Sequence, residues 1–106
     1  MEHIEQHLVH IISEIVGSPG REYHLGKFEG LAWFLNNAET PVVSLKKYDK
    51  TVNVYAMTWS QNHELAKAVE TTFGKSAIGK SCIRIRKLTP DREQVLKNVI
   101  QFEISR

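Results

Sequence analysis

Gly74-Lys75-Ser76-Ala77-Ile78-Gly79-Lys80-Ser81-Cys82-Ile83-Arg84-Ile85-Arg86 is the stretch whose reading decides the fold. Its first eight residues satisfy G-x-x-x-x-G-K-[ST], the phosphate-loop pattern. That loop needs a strand before it and a helix after it, so that N–H groups at the helix start hold phosphate oxygens and the lysine reaches the terminal ones. The neighbours here are inverted. Before it, Leu65, Ala66, Val69 and Phe73 recur at helical spacing, with Gly74 as a natural stop. After it, Ile83 and Ile85 fall on one side of an extended chain and Cys82, Arg84 and Arg86 on the other, as in a half-buried strand. Gly79-Lys80-Ser81 therefore reads as a glycine-containing turn that enters a strand, kept solvated by its lysines, and not as a nucleotide cradle.

Outward from that strand, Thr89-Pro90-Asp91 opens a last helix. The hydroxyl caps it, proline takes the first turn and a carboxylate meets the positive dipole end. Val95, Leu96, Val99 and Ile100 line its inward side. Upstream, Ser60 is the expected cap of the preceding helix. Residues 21–58 read as a strand region with apolar runs at 31–35, at Val42, Val43 and Leu45, and at 51–57. Tyr48-Asp49-Lys50 links the last two as an antiparallel hairpin. In the third run Val52, Val54 and Ala56 share one face, and Asn53, Tyr55 and Met57 the other. At the start of the chain Ile4, Leu8, Ile11, Ile12 and Ile15 form an amphipathic stripe that Gly17-Ser18-Pro19-Gly20 ends. The order is α-β-β-β-α-β-α. It predicts a single α+β domain over residues 1–106, an antiparallel sheet with helices packed on one face and the opposite face partly open.

Bulk properties agree with one folded domain. The 106 residues are 42% hydrophobic and 25% charged, with formal net charge +2. That charge does not by itself mark a nucleic-acid or membrane-surface protein, and no partner of either kind is expected. No apolar run reaches the roughly 18 residues of a membrane span. The polar start, with Glu2, His3, Glu5 and His7, lacks the apolar core of a signal peptide. One cysteine, Cys82, excludes an intrachain disulfide and fits a reducing, cytoplasmic setting.

Two constellations carry functional expectations. The open sheet face should bear Tyr55, Met57, Arg84 and Arg86, joined by Trp33 or Phe34. Aromatic rings beside guanidinium groups suit an anionic or planar ligand, or a protein partner, a homodimer included. The plainer reading is long basic side chains covering apolar surface. On the first helix His3, His7, His10 and Glu14 form one stripe, at a spacing with which imidazole and carboxylate share a divalent metal; a polar helix flank has the same pattern. No nucleophile–base pair or catalytic carboxylate pair is apparent, so a non-enzymatic protein is expected.

Pro41-Val42-Val43-Ser44-Leu45, Val52-Asn53-Val54-Tyr55-Ala56-Met57, the helix from Glu64-Leu65, and above all Gly79-Lys80-Ser81-Cys82-Ile83-Arg84-Ile85-Arg86-Lys87-Leu88 resemble the bacterial YdhG-like family of unknown function, placed near the frataxin-like fold. The resemblance covers about residues 41–101 and implies a curved antiparallel sheet. Two functions are expected: from the residues, a binding or interaction module that uses its open sheet face, or, as the resemblance to some family members implies, an intracellular iron chaperone. The second would use acids near the first helix and sheet edge, here Glu2, Glu5, Glu14, Glu22 and Glu29, with iron as its cargo.

Overall fold

In the computed structural model, which describes residues 1–105, the first apolar stripe forms helix α1 (Glu2–Val16). Leu8, Ile11 and Ile12 are buried, and Ile4 and Ile15 pack at the core margin. Gly17 ends the helix at φ +86, where a glycine avoids the Cβ clash of left-handed backbone. There follow strands β1 (Arg21–Leu25), β2 (Phe28–Trp33), β3 (Val43–Lys47) and β4 (Val52–Tyr55), then helix α2 (His63–Phe73), strand β5 (Cys82–Ile85) and helix α3 (Pro90–Ile104). The strands make one antiparallel sheet in chain order, β1-β2-β3-β4-β5. The class is α+β. Four strands precede α2 rather than three.

β1 is the additional strand. Arg21-Glu22-Tyr23-His24-Leu25 buries little on either face because it lies at the sheet edge, so it carries no apolar alternation. A two-residue turn, Gly26-Lys27, joins it to β2 with Leu25 paired to Phe28. Gly26 supplies the positive φ (+59) that such turns require. The expected hairpin between β3 and β4 is present, closed by the Tyr48 N–H donating to the Thr51 carbonyl at 2.8 Å.

Leu45, Val54 and Ile83 stand in register across β3, β4 and β5, and Val52 pairs with Ile85 beside them. These side chains, with Leu31, Trp33 and Val43, meet Leu8, Ile11, Ile12, Val69, Phe73, Leu96, Val99 and Ile100 in one core. All three helices thus cover one face, with α3 packed against both α1 and α2. Among the described residues, no helix is long and apolar enough to cross a membrane.

Two local expectations are corrected. The cap of α2 is Asn62, whose side chain accepts the Leu65 N–H at 3.1 Å. Ser60 lies instead in a short 3₁₀ turn, Trp59–Gln61, that buries Trp59. β4 ends at Tyr55, short of the expected Met57: the Ala56 N–H still donates to the Ser81 carbonyl (3.0 Å), the next rung of the β4–β5 register, and the ladder goes no further. Glu103 on α3 is buried although charged. Its carboxylate accepts from the Thr58 hydroxyl (2.7 Å) and from the N–H groups of Thr58 (3.0 Å) and Trp59 (2.6 Å), satisfying donors at the start of the 3₁₀ turn.

Candidate functional site

Strand register decides which side chains occupy the helix-free face. One row reads Arg21, Ala32, Ser44, Tyr55 and Cys82 across the five strands; the next holds Tyr23 and Gly30, with Lys46, Asn53 and Arg84 in line on the far side. Leu25 and Phe28 close the hairpin end. No carboxylate belongs to these rows, so the formal charges of the face are all positive.

The aromatic rings of this face form a continuous line. Phe34 meets Tyr23 edge-on at 5.6 Å between centroids, Tyr23 meets Phe28 at 6.3 Å, and Phe28 meets Tyr55 at 5.3 Å and 87°. The Tyr55 and Tyr48 hydroxyls then lie 3.2 Å apart. Edge-to-face contacts of this kind are favoured by the ring quadrupole. Gly30 makes the line possible: a Cβ there would stand 3.0 Å from the tip of the Phe28 ring and 2.4 Å from the Leu45 carbonyl oxygen. The Arg21 guanidinium lies 4.1 Å from the centre of the Phe34 ring, and the Lys46 ammonium 5.2 Å from that of Tyr48.

A polar cluster closes one end of the line. Thr51 donates to the Asn53 side-chain carbonyl at 2.8 Å, and the Asn53 amide donates to the Tyr55 hydroxyl at 3.4 Å. Burial, reinforced by the hydrogen bond with Tyr48, pushes the Tyr55 phenol up to about 12, so it stays neutral and available as a hydrogen-bond partner. Arg84, opposite Asn53 in β5, donates to the Ser76 carbonyl at 3.4 Å. Tyr48, Asp49, Lys50, Thr51, Asn53 and Arg84 border an open recess of about 500 Å³. Asp49, in the hairpin loop, is the acid at this rim.

Of the side chains expected on this face, Tyr55 and Arg84 are there. Arg86 is exposed just beyond the end of β5, and Met57 is 64% exposed beyond the end of β4, off the ladder. Trp33 is not on the face. It pairs with Val43 on the helix side, is fully buried, and donates its indole N–H to the Ser13 hydroxyl at 3.1 Å. Phe34 takes the place expected of it. Tyr23 escaped sequence reading because β1 was not recognised, and Phe28 because β2 starts three residues before the apolar run at 31–35.

The histidine stripe is parted by the packing of α1 on α3. His7 Nε2 turns to Glu93 of α3 at 2.5 Å, while His10 pairs with Glu14 at 3.0 Å. His3 borders a recess of about 340 Å³ with His7, Pro90 and Glu93. The hydrogen bond from His7, and then Lys97 at 3.3 Å, hold the Glu93 carboxyl below its usual range. His3, His7, His10 and Glu14 do not converge. Among the described residues no group of three or more His, Cys, Asp or Glu side chains is placed to hold a metal ion.

The phosphate-loop string is a turn. The Gly79 N–H donates to the Cys82 carbonyl at 2.9 Å, Ile78 bridges Ile83, and a 3₁₀ turn, Lys75–Ala77, leads in from α2. A Cβ on Gly79 would lie 2.8 Å from the Cys82 sulfur. The glycine is there for the Cys82 side chain rather than for a phosphate. No known protein family, curated protein or solved structure matches this chain.

Proposed function

We propose that the chain is a non-enzymatic cytoplasmic binding module of YdhG-like type, and that the helix-free sheet face is its binding surface. One observation carries the reading: five aromatic side chains cross that face in a line, and the only charges in its strand rows are Arg21, Lys46 and Arg84. Rings give area and stacking, and guanidinium and ammonium groups give charge-assisted bonds. Together they suit a planar anion or an acidic, aromatic-bearing partner surface.

A planar aromatic sulfonate, anilinonaphthalene sulfonate, is a direct probe. Titrated into isotope-labelled protein, it should bind saturably and shift the amide signals of Tyr23, Phe28, Tyr55 and Arg84. Phe28→Ala should abolish binding, and Arg84→Gln should weaken it several-fold while the helix signals stay in place. Shifts centred on α1 and α3, or binding indifferent to both substitutions, would sink the proposal.

A further inference from the structure

The sheet has two edges, and they are treated differently. Beyond β5 the chain folds back, with Ile78 bridging Ile83 and the Gly79 N–H bonded to the Cys82 carbonyl. The outer side of β1 has no strand beside it among the described residues. Neither a proline nor a break in register interrupts β1. An edge of this kind is a template for another strand.

We infer that β1 pairs antiparallel with β1 of a second copy, about a two-fold axis at Tyr23, joining two sheets into one of ten strands. The strand's own sequence selects the partner and the register. In the two-residue hairpin the closing pair, Leu25 and Phe28, exchanges both backbone bonds, and alternate pairs follow. The backbone groups of Tyr23 therefore point to β2, and those of Glu22 and His24 point outward. Three in-phase two-fold registers exist. Centring on Glu22 sets that carboxylate against its own copy. Centring on His24 sets imidazole against imidazole and shortens the overlap. Centring on Tyr23 places Glu22 of each copy opposite His24 of the other, with both backbone bonds exchanged, and Arg21 opposite Leu25. Leu25, 67% exposed, then gains the aliphatic stem of Arg21 as cover.

The same register joins the binding surfaces. Tyr23 would face its copy at a non-hydrogen-bonded position, where side chains approach most closely. The aromatic line of one copy, ending at Phe34 and Tyr23, would continue into that of the other. On the helix side, His24 of the second copy would approach a recess bordered by Glu5, Glu22 and Glu29, three carboxylates that the first copy's own His24, 4.0 Å from Glu29, shares.

Sedimentation equilibrium of the full chain, from roughly 10 μM to 1 mM, is the first measurement, because a five-residue strand pair is a small interface. A monomer–dimer equilibrium is expected. His24→Glu should weaken dimerisation at least ten-fold, and the double variant Glu22→Lys/His24→Glu should restore it. Register is read by crosslinking in a Cys82→Ser background. Tyr23→Cys should oxidise rapidly to a disulfide dimer, and Glu22→Cys and His24→Cys only slowly. A chain monomeric throughout the range overturns the inference. So does failure of the double variant to restore association while circular dichroism shows it folded, or faster crosslinking at position 22 or 24 than at 23.

Discussion

Glu103 and Gly30 are residues whose neighbours leave little choice of side chain. Replacing Glu103 with alanine strips the N–H groups of Thr58 and Trp59 of their acceptor in a buried place. The cost should be about 3 kcal/mol in urea unfolding, read as a shifted midpoint. Glu103 follows Val99 and Ile100 at helical spacing, so a carboxylate on an apolar stripe was the visible signal; its partners, more than forty positions away, were not. Gly30→Ala brings a Cβ against a backbone carbonyl and the Phe28 ring, and should cost about 1–3 kcal/mol while displacing that ring from Tyr55. Tyr55 offers a titration. Its phenol is held up near 12, above the ordinary 10.0, so the folded state keeps the proton more tightly than the unfolded chain. That contribution to stability is complete below pH 10 and fades as pH rises toward 12. Phenolate absorbance of the wild type against Tyr48→Phe checks it, the variant ionising at lower pH. Trp33 and Phe34 show the limit of residue reading: adjacent positions face opposite ways, and only the pairing with Val43 decides which one enters the core.

At the scale of elements, the helices were legible from their apolar stripes and from some of their end signals, although the start of α2 lies at Asn62 and not at Ser60. Thr89 accepts the Arg92 N–H and Gly74 ends α2, as their sequence contexts indicate. β1 was illegible because an edge strand with both faces half in water needs no apolar period. The tie between α1 and α3 was equally hidden, since His7 and Glu93 are joined only by packing. That tie should respond to acid. The Glu93 carboxyl is held below its ordinary 4.5, so its stabilising contribution is present above that value and lost as pH falls through the depressed one. Melting temperature followed from pH 6 to about pH 3 should fall more steeply for the wild type than for Glu93→Gln. The difference between the two should be largest at neutral pH and vanish in acid. For the candidate site, Tyr55 and Arg84 were readable from alternation within single strands. The rest of the aromatic line depends on the register between strands.

Across the whole molecule, α1 precedes every strand and α3 follows every strand, yet the two pack side by side over the sheet. A chain made in order from its first residue therefore builds all five strands before the last piece of their cover exists. Until α3 is complete, the faces of Leu8, Ile12, Leu45 and Ile83 turned toward Leu96, Val99 and Ile100 have nothing to close them. A fragment of residues 1–87 should accordingly lack a cooperative thermal transition, and adding a peptide of residues 88–106 should restore one by circular dichroism. Birth of this protein on the ribosome is thus a vectorial problem with a late solution: the nascent sheet stays sticky until α3 has been made, and a chaperone that shields apolar surface would find its substrate in that interval.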